Sequence, residues 1–263
     1  MRPRLALALV ALASAAFLGQ SGCPPPPEPY RCAGGAPSGL IRAERGAQTT
    51  GRYLVVFRTR AAATRYSAGL RAQAVLDVAG QTAIAASLNV ADARALAVRP
   101  DVQFVQEETV KSILCQEHGP AADVIEGGAV LPWGKDRVDQ RAPPLDGVYA
   151  PQGTGAGAIV CVVDTGVDPQ HPVLKDRLVA YHSVVGGDGV DGHGHGTHVS
   201  ATAVSARYGV APGADLYSCQ ALAANGTGDD STVIACINWC VEQIAQAHKL
   251  GAINMSLGGP VSV

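Results

Sequence analysis

Along the chain, apolar positions gather into short runs set between polar and glycine-rich stretches, and the spacing within each run predicts an element. Tyr53-Leu54-Val55-Val56-Phe57 is an aromatic and β-branched run that predicts a strand. Between Thr64 and Ala79, Tyr66, Leu70, Ala74 and Val75 recur at helical spacing. Ala83 to Val90 reads as extended, Asp92 to Val98 as helical, and Val102 to Gln106 as a last strand. Strand, helix, strand, helix, strand within about sixty residues predicts a compact α+β module whose helices pack on one sheet face. After Trp133 the pattern changes. Ala158–Val163, Asp215–Ala221 and Ala252–Ser256 are short, largely apolar runs that read as buried parallel strands. Between the last two, Val233, Ile234, Ile237, Val241, Ile244 and Ala245 line one face of a helix over Ser231–Leu250. Strand, crossover and strand in this order predict an α/β sheet.

The segments outside these elements set the organisation. Arg2 and Arg4 precede an apolar run from Leu5 to Leu18, too short to span a bilayer comfortably and suited to an export signal, with a buried helix as the alternative. Cleavage after small residues such as Ala13-Ser14-Ala15 fits this reading. So does lipidation of Cys23, because Gln20-Ser21-Gly22-Cys23 resembles a bacterial lipoprotein box, lacking only the Leu usual three residues before the Cys. Four consecutive prolines then open a Pro/Gly-rich stretch, which predicts an extended tether. Gly119-Pro120 and Gly127-Gly128 mark a second irregular stretch. The expected division is a signal peptide over 1–22, a linker over 23–50, the small module over 51–112, a processing linker over 113–131, and the α/β region over 132–263.

With 47% hydrophobic and 16% charged residues, the 263-residue chain has the material for a sizeable core. A formal net charge of -2 gives no basic field for nucleic acid, so no nucleic-acid partner is expected. Seven cysteines in an exported chain predict disulfides. If Cys23 carries lipid, Cys32, Cys115, Cys161, Cys219, Cys236 and Cys240 remain, and six cysteines allow fifteen pairings. Cys161, inside an apolar run, reads equally as a small buried hydrophobe. Cys236 and Cys240 lie one helical turn apart and are expected to pair elsewhere rather than with each other.

Two motifs carry candidate chemistry. Val160-Cys161-Val162-Val163-Asp164-Thr165-Gly166 is an apolar strand ending in a carboxylate and a glycine turn. In open α/β sheets, sites form beyond the carboxyl ends of strands, which is where Asp164 falls. The second, Asp191-Gly192-His193-Gly194-His195-Gly196-Thr197-His198, crowds three histidines and their glycines at the expected start of a helix. Glycine permits close backbone approach, and imidazole moves protons near neutral pH.

Together the motifs resemble the subtilase family of serine proteases, whose Asp-Thr-Gly strand end and Gly-His-Gly-Thr-His helix start stand here as 164–166 and 194–198. The order Asp, then His, then Ser is the subtilisin order. The resemblance implies that Asp164 orients and charge-stabilises the imidazole and that His195 is the general base. Residues 132–141 and 153–157 resemble the mature start of proteinase K relatives. Asn225-Gly226-Thr227-Gly228 and Asn254-Met255-Ser256-Leu257-Gly258-Gly259 resemble the two segments flanking the family's substrate cleft. Asn225, Gly226, Ser256, Leu257 and Gly258 are therefore expected to bind a polypeptide substrate as an added strand, and Ser256 to be part of that strand rather than a nucleophile. Residues 51–112 resemble the family's inhibitory propeptide, which implies an intramolecular inhibitor. The implied fold is α/β: part of a subtilisin-like parallel sheet with helices on both faces, preceded by the small α+β module. The implied location is secreted or extracytoplasmic, with a lipid anchor if Cys23 is modified. Calcium is common in the family, but no ligand residues are assigned here and no metal site is expected from the motifs.

The resemblance also implies what is missing. The family's oxyanion Asn and Gly-Thr-Ser turn lie well downstream of the Ser-Leu-Gly-Gly segment, and the sequence stops at Val263. An inactive, truncated fragment is the expectation. Two rival readings remain open: a zinc hydrolase using His193, His195 and His198, with Thr197 where that ligand motif expects Asp, and a non-enzymatic inhibitor built on the 51–112 module.

Overall fold

The computed structural model describes residues 39–78, 80–113, 132–142 and 144–260. The expected export signal, Cys23 with its lipid, Cys32, Cys115 and nearly all of the processing linker lie outside the described residues. The chain divides into two compact units between Thr109 and Val110.

The first unit contains β1 (Gly39–Ile41), β2 (Thr49–Phe57), α1 (Arg60–Ser67), β3 (Ala74–Val78), β4 (Gln81–Ser87), α2 (Val90–Ala97) and most of β5 (Val102–Ile113). The sheet order is β1-β5-β2-β4-β3, antiparallel except for β1 beside β5. Tyr53, Val55 and Phe57 point to one face by strand alternation and pack with Ala62 and Ala63 of α1, Ala93 of α2, Ile84 and Val105. Thr59 caps α1 by accepting the Ala62 N–H at 3.2 Å, and Asn89 caps α2 by accepting the Asp92 N–H at 2.9 Å.

Two expectations for this unit need correction. The helical spacing over 64–79 describes one helix that stops at Ser67, and residues 74–78 form β3 instead. Arg71 takes the left-handed conformation (φ 48), which no helix can continue through. The last strand also does not stop at Gln106 but continues to Ile113. Its added residues are mostly polar, and Glu107 and Glu108 are held by Arg42 and Arg52, each pair at 2.7 Å.

In the second unit, α3 (Trp133–Arg137) is followed by β6 (Ala158–Asp164), β7 (Leu178–Ser183), α4 (His195–Val204), β8 (Asp215–Gln220), β9 (Thr227–Asp229), α5 (Asp230–Gln246), β10 (Leu250–Asn254) and β11 (Leu257–Gly258). The main sheet is fully parallel, in the order β10-β6-β8-β7. Alternate residues of its inner strands supply two cores. Ile159, Cys161, Val163, Tyr217 and Cys219 pack under Val233, Cys236, Cys240 and Ile244 of α5. Val162 and Leu216 pack with Val204 of α4 and Leu174. Helices therefore cover both faces, as an all-parallel sheet requires.

The chemistry of α5 decides how firmly this arrangement is fixed. Asp229 and Thr232 form a capping box at its start. Cys240 is joined to Cys161 of β6, and Cys236 to Cys219 of β8. The reading of Cys161 as a mere buried hydrophobe is corrected by that bond. Two cysteines one turn apart thus fasten one helix to two adjacent strands.

Candidate active site

Asp164 ends β6, at the centre of the parallel sheet, and its side chain is completely buried. His195 opens α4, which packs against β6. What brings them together is glycine. A Cβ on Gly196 would stand 2.3 Å from the Gly166 carbonyl oxygen and 3.2 Å from the Asp164 Cβ, so only glycine lets the helix start this close to the strand end. Gly166 itself has φ +106 and no room beside the Gly189 carbonyl oxygen.

In this setting His195 Nδ1 lies 2.7 Å from Asp164 Oδ1. The same oxygen accepts the Thr165 N–H at 2.7 Å. A neutral imidazole that donates from Nδ1 presents a bare lone pair at Nε2, and Nε2 has no hydrogen-bond partner among the described residues. The carboxylate thus selects the tautomer whose outer nitrogen is basic.

Asp191, to which the sequence analysis gave no role, organises the helix start. Its Oδ1 accepts N–H groups from His193 at 2.9 Å and Gly194 at 2.8 Å, and its Oδ2 accepts the Thr197 N–H at 2.9 Å and hydroxyl at 2.7 Å. The Thr165 hydroxyl links the two sides, donating to Asp191 Oδ1 at 2.8 Å and accepting the Gly196 N–H at 2.9 Å. Asp191 therefore does for α4 what an N-cap residue does, from outside the helix. Burial pushes its pKa up, but the hydrogen bonds from Thr197, Gly194 and His193 outweigh that and hold it below the usual carboxylate range. The signal in sequence was an Asp opening a glycine-rich run immediately before a helix.

The hydrogen bond to Asp164 raises the His195 pKa above its ordinary 6.5; burial opposes the rise, and the charges of Asp164 and Asp191 add to it. Because the folded-state value is the higher one, the pairing stabilises the fold fully below pH 6.5, and that contribution is lost as pH rises through the raised value. An NMR titration of His195 is expected to give a midpoint above 6.5, moving down in Asp164→Asn. A midpoint unaffected by that substitution would show that the couple is not formed in solution.

An extended segment runs near this pair. Residues Val110–Ile113 of β5 run between β9 and β11, antiparallel to both. Ser112 faces Thr227 on one side and Gly258 on the other, Ile113 faces Leu257, and the Ile113 N–H donates to the Gly226 carbonyl at 3.1 Å. Of the residues expected to bind polypeptide, Gly226, Leu257 and Gly258 thus meet one extended segment directly. Asn225 and Ser256 do not pair with it. The Asn225 side chain accepts the Thr227 N–H at 3.1 Å and hydroxyl at 2.8 Å, shaping the turn, and Ser256 Oγ accepts from Asn254 at 3.0 Å. A Cβ on Gly226 would meet both His193 Nε2 and the Ile113 side chain at 3.4 Å, and the His193 and His195 rings are 6.3 Å apart. The strand therefore ends beside the histidine pair.

The matches to known proteins agree with this geometry. A profile described as the subtilase family matches residues 155–263. Residues 155–263 belong to the subtilase family. The chain is 36% identical over 198 residues to an extracellular serine proteinase of Thermus sp. (strain Rt41A), an alignment covering 74% of this chain and 47% of that protein. Subtilisin-like protease 1 of Trichophyton rubrum is 38% identical over 170 residues, covering 64% of this chain and 32% of that protein. The chain thus spans between about a third and about half of the curated relatives it matches. Among solved structures, fervidolysin from Fervidobacterium pennivorans, a keratinolytic enzyme related to subtilisin, superposes with a TM-score of 0.58 at 22% identity, over 86% of this chain and 38% of that one. That likeness supports the α/β fold.

The rival zinc reading finds no support. Among the described residues no group of three or more His, Cys, Asp or Glu side chains is disposed to hold a metal ion, and His198 is exposed on α4. Among the described residues no helix is long and apolar enough to cross a membrane.

Proposed function

We propose that the chain carries the aspartate and histidine of a subtilase-type serine endopeptidase, together with the inhibitor that keeps its cleft filled. The observation that carries this reading is the 2.7 Å contact between His195 Nδ1 and the buried Asp164 carboxylate, which leaves Nε2 as a base. In the reaction, Nε2 takes the proton of a serine hydroxyl as that oxygen attacks the peptide carbonyl, and Asp164 stabilises the imidazolium formed. The imidazolium then gives the proton to the departing amine, and water repeats the sequence to release the acyl group.

Substrate enters as an extended strand between 225–228 and 256–258, held by backbone hydrogen bonds that are indifferent to side chains. Residues 51–112 act as intramolecular inhibitor, and the pairing of Val110–Ile113 in the cleft supports that role. Residues 1–22 direct export and Cys23 offers a lipid anchor, in keeping with an oxidising location for the two disulfides.

No Gly-Thr-Ser tripeptide occurs in the sequence. The 263-residue polypeptide is therefore expected to release no chromophore from a peptide p-nitroanilide. Continuation of the same chain after Gly259 into the serine-bearing half of a subtilase is expected to restore release. Turnover by the 263-residue chain that disappears in His195→Ala would overturn the assigned division of roles.

A further inference from the structure

The segment lying in the cleft contains one charged side chain, Lys111, and its surroundings are specific. Lys111 Nζ lies 3.0 Å from Asp230 Oδ1, with the two side chains only 18% and 13% exposed. Lys111 stands in register with Gly228, two residues before Ile113, whose N–H the Gly226 carbonyl holds. Gly228 has no side chain, and a Cβ there would stand 2.4 Å from the Ala221 carbonyl oxygen. A side chain that meets position 111 comes from beyond β9, at the first residue of α5. Asp229 caps the helix through the Thr232 N–H, and Asp230 reaches the ammonium.

We propose that Asp230 is a specificity-determining residue, selecting extended polypeptides with Lys or Arg two positions before the residue whose amide bonds to the Gly226 carbonyl. The inference rests on the reading of the cleft given above, with Val110–Ile113 standing in for substrate. An apolar side chain at that position would leave a largely desolvated carboxylate without the cation it faces, and an acidic one would add repulsion.

The test uses the whole chain and varies the strand it already holds. Hydrogen exchange at the Ile113 amide reports how often the strand leaves the cleft, and amides of β6 and β8 report global opening. Lys111→Arg is expected to leave Ile113 exchange near the parent rate. Lys111→Met and Lys111→Leu should raise it about tenfold and Lys111→Glu further, the scale of losing one partly buried charge pair. With Asp230→Asn the preference for a cation at 111 should vanish, and the exchange of Lys111→Glu with Asp230→Lys should restore protection. In every comparison the β6 and β8 amides should stay unchanged. An Ile113 amide protected in the parent but indifferent to residue 111 overturns the role of Asp230 alone. An Ile113 amide unprotected in the parent overturns the cleft reading beneath it.

Discussion

Replacing Asp164 with Asn in a polypeptide that joins this chain to a serine-bearing subtilase half should lower kcat/KM by about 10⁴-fold, the loss found when the acid of a Ser–His–Asp group is neutralised. The reason lies in where the carboxylate sits. Both the Thr165 N–H and His195 Nδ1 converge on Oδ1, and Asp164 is fully buried at the end of β6. An amide of the same shape offers one acceptor oxygen where the acid offered two, and no charge to offset the imidazolium that forms during proton transfer. It also places two N–H donors where Asp164 Oδ2 is buried without a partner among the described residues. His195→Ala should cost more, about 10⁶-fold, because it removes the base itself. In the unaltered protein the acidic limb of kcat/KM should follow His195, failing as pH falls through its raised pKa. In Asp164→Asn that limb should move to lower pH. A loss of less than about tenfold in Asp164→Asn would mean that proton transfer does not run through this pair.

The parts of the fold written in the sequence are those whose physics is local. β6 is legible because a strand buried on both faces must be apolar throughout, and α5 because its buried face repeats at helical spacing. The Asp164 and His195 motifs are legible because their glycines are demanded by close approach, at Gly166 and Gly196 above all. β7 was missed although Leu178 to Tyr181 is a short apolar run, because it is an edge strand with Val179 and Tyr181 exposed, and so few residues carry no clear signal of which face is buried. The far end of β5 was missed for the opposite reason. Glu107, Glu108 and Lys111 look like loop residues, and their burial is made tolerable by partners 56 or more positions away in sequence, such as Arg42, Arg52 and Asp230. Asp191 and Asp230 were invisible as functional residues because each acts through a contact that only the fold creates. The disulfide pairs belong to the same class, since spacing gives fifteen pairings and packing selects Cys161 with Cys240 and Cys219 with Cys236.

Those two bonds carry the largest expected effect on stability. Cys161–Cys240 closes a loop across 79 positions, and Cys219–Cys236 one across 17. On chain entropy alone, loss of the first costs about 4.5 kcal/mol and loss of the second about 3 kcal/mol. Paired Cys→Ala substitutions test this cleanly, since all four cysteines are buried at 0% exposure and alanine introduces no unsatisfied polar atom. In urea the Cys161→Ala/Cys240→Ala variant should show the larger drop in midpoint. The two losses should not add, because either bond alone still holds α5 against the sheet. The consequence for the site follows from position. Cys161 lies three residues before Asp164 on β6, and α5 opens with Asp230, so the same helix fixes the strand that carries the acid and the residue that reads Lys111. Removing both bonds should therefore raise hydrogen exchange at Ile113 before global unfolding begins, as α5 loosens from β6 and β8. If both pairs can be removed at a cost below about 1 kcal/mol, α5 is held by its apolar face alone and the cross-links are incidental to the cleft.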